Sequence, residues 1–442
     1  MNLKCIVAVM LSCVLGLTGC HARRATERQA PLTVAASSSP RPFYIRDEKS
    51  LQAMVDRQQK SAIRTHAWDI LRYMLSDDKN PVGNNSPFVA RWDSEAWDNK
   101  CDLGLGGTVC GKQYADPNSA PCPISAEKPQ AQFDPLLQEI IADEAGAPHK
   151  KTPIGLLSSV RYNKAAAKFI REHCLHRPID IWKLSATDDP DDDAVIVKLV
   201  WAFPPPAGVP LRVWDKTLDD LPADADPTDW PSRWPFVDIN MSKNAPPCGD
   251  GYSSYYYPQT QPGRLPSVPL SCFYHREYPC SLLRPYTPRR WGIEGACPSG
   301  GTFQAVLMGV HIITAEQRQW VWTTFYWTPD PATYKGYEDQ PGELATERGP
   351  WRFYAMKTIL SADKPAEKNG NPPVAFNPYI ETFDDHPNRD NCIKCHQLAA
   401  IHELPHQGHP SMSAAKSKST HFLWSVANNA DPSARQSIQT LQ

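Results

Sequence analysis

The chain has 442 residues and a formal net charge of −2, with no basic block, which excludes nucleic acid and an anionic lipid surface as expected partners. Its length fits one large or two ordinary domains. With 44 prolines, 14 tryptophans and 16 tyrosines it reads as a loop-rich fold with aromatic cores, and no internal repeat of fixed period is present.

The first residues are not fold. Lys4 precedes the apolar run CIVAVMLSCVLGL (5–17), too short to span a bilayer comfortably, and the run ends in Leu17-Thr18-Gly19-Cys20. Residues 1–19 therefore read as a secretory signal peptide. The tetrapeptide resembles the bacterial lipobox, in which the Cys, here Cys20, becomes the lipidated first residue of the mature chain. An ordinary signal peptide with an incidental Cys is the alternative. His21 rather than Asp follows, which by resemblance to Gram-negative lipoproteins implies the outer membrane. Residues 20–45, rich in Ala, Ser, Pro and Arg, read as a flexible tether. No later segment is apolar enough to span a membrane, so the expectation is a soluble body held by a lipid anchor.

The body is expected over 46–385. The stretch 51–76 lacks Pro and Gly and predicts a helix, although its apolar stripe is regular only in the second half. A loop region with Gly-, Pro- and Cys-rich turns follows over 77–134, and helices are predicted near 135–145 and 156–174. From about 194 the period changes to two. AVIVKLVWAF (194–203) reads as a strand. TFQAVLMGVHIIT (302–314) and QWVWTTFYW (319–327) read as a hairpin, and WRFYAMKTIL (351–360) as a further strand. Between 204 and 300, long ordered loops are expected. Helices first and strands later give an α+β class: N-terminal helices, a mainly antiparallel sheet core with Pro- and aromatic-rich loops, and a C-terminal haem-binding helical segment over 386–442.

That last element rests on NCIKCHQLAA (391–400). Cys392, Cys395 and His396 form C-x-x-C-H, the pattern of c-type haem attachment. The two thiols add to the haem vinyl groups, and the adjacent imidazole reaches the iron. A redox dithiol needs a βαβ context, zinc needs a second ligand pair, and a disulfide across two residues is geometrically poor. HELPH (402–406) has the letters of a zinc metalloprotease motif. That motif needs an unbroken helix to project His402 and His406 from one face, and Pro405 breaks it. Eight further cysteines, Cys101, Cys110, Cys122, Cys174, Cys248, Cys272, Cys280 and Cys297, suggest up to four disulfides in an exported protein. Cys101–Cys110 and Cys272–Cys280 are plausible short-range pairs, but spacing does not choose among the connectivities.

Four stretches resemble a family of exported "cytochrome c family" proteins of about this length: VIVKLVWAF (195–203), LMGVHIITAEQRQWVWTTFYW (307–327), NPYIETF (377–383) with C-x-x-C-H soon after, and THFLWSVANNA (420–430). The cysteine-rich stretches 101–122 and 248–297 have no counterpart there. The resemblance implies a monohaem c protein in redox work, with a redox partner in the envelope and no substrate named. It also points to His311, in a strand whose Phe303, Leu307, His311 and Ile313 share one face. A hydrogen-bonded core histidine is the competing reading. Met412 is the alternative distal ligand, with His402, His406, His409 or an open position as further options. The function expected is electron transfer at the cell envelope, with one covalent haem c. Alternatives are a haem enzyme or gas sensor with an open iron site and, below these, a zinc protease or a lipoprotein merely stapled by haem. Whether the protein is also a catalyst stays open; no acid–base motif is visible.

Overall fold

The computed structural model describes residues 44–75, 90–93, 97–100, 102–103, 105, 156–181, 183–185, 188–203, 211–214, 236–241, 248, 264–280, 301–318, 320–345, 349–360, 375, 377–381, 396, 400–401 and 418–419, a few with backbone only and residue 182 excepted. The chain divides into two compact units, Met1–Pro40 and Arg41–Gln442, and all described residues belong to the second. The signal peptide, Cys20 and the helix expected near 135–145 lie outside them. Tyr44, which the sequence places at the end of the tether, is buried, its ring 4.7 Å from that of Tyr73.

Helix α1 (Glu48–Asp56) starts at Asp47, whose carboxylate accepts from the Ser50 amide at 2.9 Å. Helix α2 (Lys60–Met74) buries His66, Ala67, Trp68, Ile70, Leu71 and Met74. The continuous helix expected over 51–76 is thus two helices. The chain turns at Gln58, which has a positive φ of 54°. The reason lies in the stripe: α1 buries only Leu51, so its apolar face does not continue that of α2.

The helix expected over 156–174 is corrected. Strand β2 (Leu156–Tyr162) occupies its first half and helix α3 (Lys164–Glu172) its second. Asn163 makes the switch. Its Oδ1 accepts from the Ala166 amide, capping α3, and from the Val195 amide, both at 2.9 Å. A short helix, α4 (Pro178–Ile181), follows.

A seven-stranded antiparallel sheet forms the centre. It contains β1 (Asp98–Asn99), β2, β3 (Val195–Ala202), β7 (His275–Pro279), β8 (Thr302–Thr314), β9 (Val321–Trp327) and β10 (Tyr354–Ile359). The order is β1-β2-β3-β8-β9-β10, with β7 on β8. The expected β8–β9 hairpin is present, from Thr314 opposite Val321 to Gly309 opposite Tyr326. The expected strand at 351–360 starts late, because Pro350–Phe353 form a 3₁₀ turn. One face packs against α2, with Trp68 5.1 Å from Phe325 between ring centroids. On the other face Tyr162, Ile196, Ile313, Trp322 and Ile359 pack with Ala166, Phe169 and Ile170 of α3. Each large apolar side chain buried there stabilises by roughly 1.5–3 kcal/mol.

Within 204–300 a small sheet joins β4 (Leu211–Arg212) antiparallel to β5 (Phe236–Asn240) and β5 parallel to β6 (Arg264–Pro269). The Cys272–Cys280 pairing is wrong. Cys272 bonds Cys248, with Cα atoms 5.0 Å apart. The extended run of β7 separates Cys272 from Cys280 by more than a disulfide spans. Cys174 and Cys280 each take part in a disulfide of their own; Cys101 and Cys110 lie outside the described residues.

The α+β class with a mainly antiparallel sheet is therefore correct. The C-terminal helical segment gains no support. Beyond Glu381 the described residues are His396, in helical conformation, and β11 (Ala400–Ile401) paired antiparallel with β12 (Lys418–Ser419). Among the described residues no helix is long and apolar enough to cross a membrane.

Candidate functional site

His311 sits in the middle of the central strand β8. Lys198 of β3 pairs with it on one side and Thr324 of β9 on the other. Directly opposed residues of an antiparallel pair point to the same face, and so do residues two apart. Gly309, His311 and Ile313 therefore share a face with Tyr326, Thr324 and Trp322. His311 is 5% exposed. The sequence reading of that face is corrected: the register slips between Leu307 and Gly309, which stand opposite Trp201 and Val200, so Gly309, His311 and Ile313 share one face while Leu307 and Phe303 turn to the other.

The chain beyond β10 meets this same face at two places. The first is His396, whose imidazole centroid lies 4.2 Å from that of Trp322, the rings inclined by 50°. Trp322 is 1% exposed and stands opposite Ile313, one same-face position from His311. The structure thus brings the histidine of C-x-x-C-H to the sheet face that carries His311. Cys392, Cys395 and Met412 lie outside the described residues, as do His402, Glu403, His406 and His409. Ile401, which precedes HELPH, is in β11 and not in a helix.

The second place is Asn377, fully buried at the start of α5 (Pro378–Glu381). Its Nδ2 donates to Thr324 Oγ1 at 2.7 Å and to the Phe325 carbonyl at 3.0 Å. Its Oδ1 accepts from the Tyr379 amide at 3.1 Å. The Tyr379 hydroxyl donates to the Trp327 carbonyl and accepts from the Trp214 amide, both at 2.9 Å. The start of α5 is thereby fastened to the β8–β9 hairpin and its surroundings.

Two further buried polar clusters among the described residues bear on titration and burial. His66 accepts from Arg46 Nε at Nδ1, so its Nε2 carries the proton and donates to Glu316 at 3.2 Å. Thr314 Oγ1 and the Arg46 amide complete the Glu316 carboxylate at 2.6 and 2.8 Å. Asp93 accepts from the Tyr274 hydroxyl and pairs with Arg276 at 2.5 Å. Burial pushes the Asp93 carboxyl above its ordinary value, against the opposing charge of Arg276. Burial likewise raises Tyr274, and the adjacent carboxylate adds to it. Among the described residues no three His, Cys, Asp or Glu side chains gather as a metal cluster.

Of the aromatic residues of β9, Phe325 and Trp327 face α2's side of the sheet, whereas Trp322 lies on the face of His311 and touches His396. Asn377 was visible only as the first letter of NPYIETF. His66 and Glu316 carried no motif, although His66 lies within the apolar stripe of α2. No family model matches the chain, and comparisons with curated proteins and with solved structures return no match.

Proposed function

We propose that the protein is a monohaem c-type cytochrome lipoprotein that transfers electrons at the cell envelope, anchored through a lipid on Cys20. The supporting observation is the meeting of His396 with Trp322 on the buried sheet face of His311. The residues described there that suit such a group are the buried His311, the His396 ring and the indole wall of Trp322; Lys198 and Thr324 flank His311 on the same face. Cys392 and Cys395 would hold the haem by thioether bonds, His396 would be the proximal ligand, and His311 the distal one, with Met412 as the alternative. The bound iron would supply one-electron exchange at a potential set by ligands, burial and nearby hydrogen bonds.

This chain's own part is positional. His311 is buried in the middle of β8, where its strand is paired on both sides. The strand fixes where that imidazole stands, and Trp322 limits how the His396 ring can tilt. The C-terminal segment 386–442 would then be a haem-bearing piece docked on the α+β body.

The test is spectroscopic. Wild-type protein boiled in detergent should keep its haem stain on a gel. The ferric form should be low-spin and bis-histidine, without the weak near-infrared band of methionine ligation. His311→Ala should become high-spin, with the haem still attached, and should gain carbon monoxide binding when reduced. An unchanged spectrum would remove His311 from the iron and make Met412→Ala the next variant. Rapid carbon monoxide binding by the wild type would favour a sensor or enzyme instead.

A further inference from the structure

We infer that the contact between Gly309 and Asn377 positions the haem-bearing segment over His311, so that Asn377 is a positioning residue for the sixth iron ligand; this rests on the haem reading above. Gly309 is the first observation. Its backbone is not in the left-handed region; among the described glycines only Gly336 is. What Gly309 provides is closeness. A Cβ built there would stand 3.0 Å from both Nδ2 and Oδ1 of Asn377, tighter than side chains normally approach. A glycine in the interior of a central strand weakens it, and it commonly marks such an approach.

The second observation is where the contact falls. Gly309, His311 and Ile313 succeed one another on the face, opposite Tyr326, Thr324 and Trp322. Asn377 sits over the first of these pairs, and His396 lies against Trp322 of the third. The two fixed points are about 13 Å apart along the strand at the usual rise, and His311 lies midway. Cys392 and Cys395 belong to the stretch 378–395 that joins them. The chain is thus fixed to this face at two described points, Asn377 and His396, which fall on either side of His311 along β8.

The third observation is a hydrogen-bond path. Asn377 Nδ2 donates to the hydroxyl of Thr324, the residue directly opposite His311. That hydroxyl donates at 3.3 Å to the Val310 carbonyl, which belongs to the peptide unit of the His311 amide. A displacement of Asn377 is therefore transmitted to the backbone that carries His311, as well as to the segment it starts. Anchoring elsewhere on the sheet would hold the fold together without this link.

The experiment uses full-length, haem-loaded protein and three variants: Gly309→Ala, Asn377→Ala and the two combined. Gly309→Ala keeps every hydrogen-bonding group but forces Asn377 outward by a few tenths of an ångström. We expect each single variant to retain covalent haem, to lose several-fold in low-spin signal, and to shift in midpoint potential. Added imidazole should restore the low-spin band, which an unfolded protein would not do cleanly. The double variant should resemble Asn377→Ala alone, because removing the amide vacates the space the new methyl needs. Wild-type spectra and potentials in both single variants, with haem attached, would overturn the inference. So would additive losses in the double variant. If Asn377→Ala alters the spectrum while His311→Ala does not, the contact positions some other ligand and the assignment to His311 is overturned. Absence of covalent haem from the wild type would instead overturn the haem reading itself.

Discussion

Asp93 shows how far a single side chain can depart from what its letter suggests. It lies in a 3₁₀ turn at Arg91–Asp93, and both its partners, Tyr274 and Arg276, come from the β7 region. Because burial raises its pKa above the ordinary 3.8, the folded state binds this proton more tightly than the unfolded chain does. The stability it contributes is complete below pH 3.8 and is lost as pH rises through the folded value. Asp93→Asn keeps an acceptor for Tyr274 and removes the titration. Urea midpoints measured from pH 4 upward should therefore fall less steeply in the variant than in the wild type; equal slopes would contradict the burial argument. At this scale only residues whose meaning is local were legible. Cys392, Cys395 and His396 announce themselves by spacing, and a period of two gives the face of His311 from Gly309 onward but misses the register slip before it. Asn377 and Asp93 act through partners 53 and 181 residues away, which no local pattern encodes. Trp320 is a further case. It holds a positive φ of 61°, rare for a bulky side chain, in the turn that leads to β9 while its indole is buried.

Among the elements, long strands with both faces buried were the easiest to read, since β-branched and aromatic runs of 7 to 13 residues admit few other solutions. β8 was placed to the residue. β2 was misread because LLSSVRY adjoins KAAAKFIRE, and two adjacent elements of different period merge when the cap at Asn163 is overlooked. The middle region was legible only as loops pinned by cysteines, and spacing did not reveal that Cys272 is pinned to Cys248. Cys248–Cys272 closes a loop with a sequence separation of 24, and the Cys272 carbonyl accepts from Trp327 Nε1 at 3.0 Å. Replacing both cysteines by serine should cost about 3 kcal/mol in chain entropy. It should also loosen the end of β9, where Trp327 stacks on Phe273. Chemical denaturation under non-reducing conditions measures this; a loss below about 1 kcal/mol would show that the loop stays ordered without its bridge.

For the molecule as a whole, the order of elements was enough to give the class, because helices that precede a run of antiparallel strands can bury their stripes only against a sheet face. What order could not give was that the sheet is covered on both sides, by α1 and α2 on one and by α3 on the other, so that two cores share it. The site was half legible for the same reason. Its two histidines were nameable, but the shared face depends on strand register across β3, β8 and β9. That register has a consequence in time. β8 is hydrogen-bonded to β3 along one side, and to β7 and then β9 along the other. Its amides should exchange with deuterium only when the whole body opens, at the slowest rate in the protein, as native-state exchange would measure. If 309–313 exchanged faster than β2, the centre of the sheet would be a local opening unit instead. With the slow result, anything held through His311 keeps its geometry for the lifetime of the fold rather than for that of a loop.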